Sequence, residues 1–196
     1  MEIQEPWNIE LFSAPNANDI DFSWYNYNDP KEVLPNNYTV EMNNAYEFAH
    51  RLWITTTDSI ENANMEGELT RIAMAKMLSQ YAINVLWLRP NLLKKMSFSD
   101  VDEELNEKYG NWVSLSYQLW IMWVWIKNFR PYDAVTRAEF ATALSRMLYW
   151  LKDWADNYYS THIEKLNKEW IIWNTDPDLQ ELRGYVMLML MRSAKR

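Results

Sequence analysis

The stretch LWIMWVWIKNF, Leu119 to Phe129, decides how the chain is read. It opens with an unbroken apolar run, far too short to cross a bilayer, and one reading of such a run is a buried β-strand. Composition favours another. The 196 residues include 12 Trp and only 3 Gly, where average usage of about 7% glycine would give roughly 14. The missing glycines nearly equal the surplus tryptophans, although no fold can trade its smallest residue for its largest. Trp120 follows the amphipathic run KYGNWVSLSYQL and precedes a β-branched residue and a loop. That is where a helix ends in the left-handed region and glycine is strongly favoured. Trp53 in RLWI (51–54) and Trp170 in KEWI (168–171) hold the same place. Trp87 precedes Leu-Arg-Pro, another helix stop, and Trp150 follows SRMLY. A bulky Cβ substituent is unfavourable in that conformation. With glycine at these positions, the stretch becomes a helix end and a flexible loop. The expectation is that many of the tryptophans are UGA codons of a lineage that reads UGA as glycine, translated here as Trp. Trp112, inside an amphipathic helix, is kept as a true tryptophan; Trp7, Trp24 and Trp173 stay open.

The chain is 48% hydrophobic and 23% charged, long enough for one domain or two small ones. Its net charge of -8 argues against a general nucleic-acid or anionic-membrane surface, so any anion site must be local. The absence of cysteine excludes disulfides and thiolate metal sites. MEIQEPWNIE lacks a charged segment followed by an apolar one, so no signal peptide is visible. YVMLMLM near the C-terminus reads as the buried part of a helix, its methionines as core filler, and no membrane span is expected.

Residues 1–41 are rich in Asn, Asp and Pro, and Pro6, Pro15, Pro30 and Pro35 break any long element, so they read as an irregular arm. Residues 42–196 read as predominantly helical. Apolar residues recur at three- and four-residue spacings in AYEFAHRL, ELTRIAMAKMLSQYAINVL, KYGNWVSLSYQL, VTRAEFATALSRMLYWL, YYSTHIEKLNKE and DLQELRGYVMLMLMRSA. The helices come in pairs that repeat. Each first helix ends at Trp53, Trp120 or Trp170, and each second one opens near Thr70-Arg71, Thr136-Arg137 or Leu182-Arg183. The first-to-second separations at the two landmarks agree to within one residue, and the second-to-third to within four. Three diverged copies result, at about 42–97, 98–155 and 156–196, packed as three helix pairs around a shared core in which Leu188 and Leu190 are buried.

The best copy, FRPYDAVTRAEFATALSRML (129–148) preceded by QLWIM, resembles the S-layer homology (SLH) family, whose repeats run helix, glycine-containing loop and a second helix opened by a TRAE-like motif. FSDV (98–101) resembles the stretch that leads into such a repeat. Copy one keeps Thr70-Arg71 but has Ile72-Ala73 where Ala-Glu is expected, and copy three has lost the threonine. The resemblance covers roughly residues 42 to 194. It implies a pseudo-threefold helical unit that anchors surface proteins non-covalently to an acidic cell-wall polysaccharide, with pyruvylated polymers the best-known ligands and the TRAE arginine in the pocket. It also implies an extracellular location at the cell wall and S-layer or other surface proteins as further partners. The invisible signal peptide conflicts with export, so the chain reads as a fragment, an unprocessed gene start or a product of a non-standard route.

The chemistry of the motif is legible on its own. In a capping box Thr136 accepts from the Glu139 amide while Glu139 reaches back to the Thr136 amide, and this alone could be the motif's role. Arg137 adds a fork that grips a carboxylate beside the free amides of a helix start. Thr70 and Arg71 offer a similar, less complete site. Asp176-Pro177 looks like an N-cap followed by proline at the first helical position, which would put Arg183 off the helix start. His50 and His162 lie in different copies without ligand spacing, so neither a metal site nor a cofactor is expected. DVDEEL (100–105) reads as a solvated helix start. The aromatic cluster Trp24, Tyr25 and Tyr27 has the chemistry to stack on sugar rings. No catalytic spacing is present, and the chain is read as a non-enzyme. The alternative to an anchor is a structural or protein-interaction repeat whose ligand site has decayed.

Overall fold

The computed structural model describes residues 20–26, 28–122, 126–151 and 157–195. The architecture is helical: α1 (Val40–Arg51), α2 (Arg71–Asn84), α3 (Glu103–Lys108), α4 (Trp112–Gln118), α5 (Arg137–Tyr149), α6 (Tyr158–Lys168) and α7 (Arg183–Ala194). Among the described residues the only β-pairings are isolated bridges, and no helix is long and apolar enough to cross a membrane. Leu119, Ile121 and Met122, from the apolar run that suggested a strand, are buried at the end of α4. Trp123 and Trp125 lie outside the described residues.

Side-chain caps start several of these helices. Thr39 accepts from the Met42 amide at 3.2 Å, Thr70 from Ala73 at 3.4 Å and Asp102 from Leu105 at 2.8 Å. At α5 both halves of the capping box are made, with Glu139 N–H donating to Thr136 Oγ1 at 3.3 Å and Thr136 N–H to Glu139 Oε2 at 3.2 Å.

One core is shared by all the segments. Phe48, Leu69, Leu78, Tyr81, Phe129, Phe140, Leu144, Leu166 and Ile171 are fully buried in it, as is Leu190, with Leu188 nearly so. The most extensive helix contacts are α1 with α7, α2 with α4, and α5 with α6. α5 and α6 follow each other in the chain, α2 meets α4 across a longer connection that includes α3, and α1 closes the set against α7. Arg192 of α7 grips both carboxylate oxygens of Glu41 at 2.9 Å, and Tyr81 hydroxyl meets Ser193 Oγ at 2.9 Å.

The loops before α2, α5 and α7 meet in a closed ring. Leu69 N–H donates to Glu181 O at 2.8 Å, Glu181 N–H to Val135 O at 2.9 Å, and Val135 N–H to Leu69 O at 2.9 Å. The orphan amides of each helix start are satisfied the same way. Arg71 and Ile72 donate to Asp133 and Pro131, Arg137 and Ala138 to Leu179 and Pro177, and Arg183 and Gly184 to Gly67 and Met65.

This ring corrects one sequence expectation. Arg183 is the first residue of α7, not a residue of its second turn. Asp176 does act as a local acceptor, taking the Asp178 amide at 3.1 Å. The residues that follow it run past α5 as its backbone partners, so they cannot coil until Arg183.

The arm is not wholly peripheral either. Ile20, Phe22, Trp24 and Tyr25 pack on the core, and the Phe22 ring stacks on Phe48 at 6.2 Å. Asn44 accepts the Asn26 amide at 3.0 Å and donates to its carbonyl at 2.8 Å, so its side chain stands in for a neighbouring strand. Tyr27 and residues 1–19 lie outside the described residues.

Candidate anion-binding site

Arg71, Arg137 and Arg183 each occupy the first position of a helix, and each reaches into the loop that its own backbone bonds to. What they find there differs. Arg137 is 5% exposed; its Nε and Nη2 grip both oxygens of Glu181, and Nη1 donates to Asn174 O at 2.6 Å. Glu181 itself is 1% exposed, in a ring position that Leu69 and Val135 fill with apolar side chains. Burial pushes the Glu181 carboxyl above the ordinary glutamate value, and Arg137 draws it partly back. Arg71 is also buried, donating from Nε to Phe129 O at 2.6 Å and from Nη1 to Glu139 at 2.8 Å. Arg130 adds a second cation to Glu139.

At the start of α5, then, Thr136 and Glu139 cap the helix, the first amides serve the neighbouring loop, and Arg137 is neutralised. At the start of α2, Thr70 caps the helix, and Arg71 ties it to the Phe129 loop. Both arginines work inside the contact between segments, and neither guanidinium faces open solvent.

Arg183 is the exception. Its Nε donates to Ala63 O at 3.2 Å, and among the described residues no carboxylate pairs with it. Three residues after the cap Thr70, where Glu139 follows Thr136, stands Ala73, which offers no counter-charge. Burial lowers the pKa of Arg183 below the ordinary arginine value. Lys76 of α2 stands within electrostatic reach. Its amine is lowered first by burial and then by the Arg183 charge, and Nζ donates to the exposed Thr56 hydroxyl at 3.1 Å. Arg183 and Lys76 are thus two half-buried cations within electrostatic reach of each other, neither paired with a carboxylate among the described residues. Leu182 supplies no side-chain cap to α7, so the third amide of that helix, on exposed Tyr185, lacks the acceptor that threonine gives α2 and α5.

Sequence reasoning passed over this pair of cations because it ranked the helix starts by their likeness to TRAE. The usable signals were negative: alanine at 73 in place of glutamate, and leucine at 182 in place of threonine.

The histidines act in packing. His162 is fully buried with Nδ1 at 2.7 Å from Ser145 Oγ, and His50 stacks on Tyr46. No group of His, Asp or Glu able to hold a metal occurs among the described residues. The Trp24 ring packs on Phe22 and Tyr25 and is covered by Arg51 at 5.4 Å. Compared with known proteins, the chain matches no family model and no curated protein.

Proposed function

We propose that the chain is a non-catalytic anchoring module of the cell surface that holds an acidic cell-wall polysaccharide. It is built from three diverged SLH-like copies in a pseudo-threefold arrangement. The observation that carries this reading is the closed ring of backbone bonds through Leu69, Glu181 and Val135, with an arginine opening the helix after each. Matched roles at three separated places support copies of one unit beyond what the sequence offsets supply.

The ligand's acidic group meets Arg183 and Lys76. A carboxylate or ketal-linked pyruvate there provides the counter-charge that both cations lack, and arginine offers it paired donors. Charge-assisted bonds contribute about 1.5–3 kcal/mol, and partial exposure places this site near the lower figure, roughly a tenfold effect per cation. Sedimentation with purified acidic wall polymer tests this. Arg183→Gln and Lys76→Gln keep donors for Ala63 O and Thr56 while removing charge, and each should weaken binding about tenfold.

The alternative, a structural or protein-interaction repeat, is favoured by one observation: Arg71 and Arg137 are consumed by internal pairing. Failure of the unaltered protein to sediment with any wall polymer would select it.

A further inference from the structure

Trp53, Trp87, Trp120, Trp150 and Trp170 all have left-handed backbones, with φ of 59, 56, 61, 55 and 59°. Asn37, Asn64, Asn111 and Arg130 are the other non-glycine residues in that state among the described ones. Asparagine tolerates the conformation through its short polar side chain; an indole has no such excuse.

Three of the five close complete Schellman motifs. After α1, Trp53 N–H donates to His50 O and Ile54 N–H to Ala49 O. After α4, Trp120 donates to Tyr117 O and Ile121 to Ser116 O. After α6, Trp170 donates to Asn167 O and Ile171 to Leu166 O. The isoleucine that follows each is buried, as the motif's apolar contact requires. After α5, Trp150 N–H donates to Arg146 O, the single bond of the simpler left-handed stop. The three Schellman turns are held by backbone bonds and by the isoleucine that follows each tryptophan. Most of the indoles point away, with Trp53 and Trp87 67% and Trp170 75% exposed, while Trp120 is half-buried beneath the Lys94 amine at 4.4 Å.

Trp24 and Trp112 differ on every count. Neither is left-handed, and both rings pack on the core. Trp24 Nε1 also donates to Asp21 O at 2.7 Å.

We infer that the native polypeptide carries glycine at positions 53, 87, 120, 150 and 170 and tryptophan at 24 and 112. The gene has UGA at the first five and UGG at the last two, in a cell whose tRNA delivers glycine at UGA. This holds whether or not the protein binds a polysaccharide. The competing use of exposed indoles, as platforms for sugar rings, needs the rings but gives no reason for a left-handed backbone at each.

The test is mass spectrometry of peptides from the protein isolated from its source cells, set beside the codons. Glycine masses at the five positions and tryptophan at 24 and 112 are expected. Tryptophan at the five, or UGG codons there, overturns the inference. A recombinant series gives an independent reading. Trp53→Gly and Trp170→Gly should raise the melting temperature of the tryptophan-bearing protein, while Trp112→Gly should lower it. A fall in all three would overturn the inference too.

Discussion

Removing the Arg137 side chain would strand the Glu181 carboxylate in a site that is 1% exposed. Breaking a buried pair in this way costs about 3–5 kcal/mol, so Arg137→Met should lose that much in urea denaturation. Glu181 stands in a ring position held elsewhere by Leu69 and Val135, which shows that an apolar side chain fits the geometry. The double variant Arg137→Met, Glu181→Leu should therefore recover most of the loss. A double variant as unstable as the single one would mean that the bond to Asn174 O, not the ion pair, is what Arg137 supplies. Lys76 carries the residue-scale prediction about pH. Its amine loses its proton below the ordinary 10.5, because burial and the Arg183 charge both oppose the ammonium. Only the protonated form attracts an anion. Binding of the acidic polymer should accordingly fall as pH rises through a value below 10.5, and Lys76→Gln should flatten that part of the profile. An unchanged profile in the variant would remove Lys76 from the site.

Under the proposed function, helix starts divide two tasks, stability and ligand binding. α5 has its first amides covered by a neighbouring loop and its third by Thr136. Thr136→Ala should cost about 1 kcal/mol, the usual loss for such a cap, measurable as a shifted denaturation midpoint. α7 lacks that cap at Leu182. Leu182→Thr should close the Tyr185 amide and weaken polymer binding, while Thr136→Ala leaves binding unchanged. Similar effects of the two on binding would contradict a site confined to α7. Helix ends were the most legible elements in the sequence, since the amphipathic runs stop at Trp53, Trp120 and Trp170 and the buried isoleucine follows each. The start of α7 was not legible. Asp176-Pro177 carries the chemistry of a helix cap, and only the pairing of residues 177–181 with α5 prevents coiling there.

Across the whole molecule, periodicity shows which face of a helix is apolar but not which helix covers it. The helical class and one shared core followed from the spacings, whereas the pairing of α1 with α7, α2 with α4 and α5 with α6 depends on loop crossings that no spacing encodes. The same gap hid the fate of the arginines. Glu181 lies far from Arg137 in the chain, so the neutralisation of Arg137 and the missing carboxylate partner of Arg183 appear only when the loops meet. The closed arrangement makes a quantitative demand. Three arginines open three helices, but two are already paired, so the proposed function requires a single anion site, at Arg183 and Lys76. Calorimetric titration with a short oligosaccharide cut from the acidic wall polymer tests this most directly. The expected result is one ligand per chain, lost in the Arg183→Gln, Lys76→Gln double variant. Three ligands per chain, or one that survives the double variant, would contradict it.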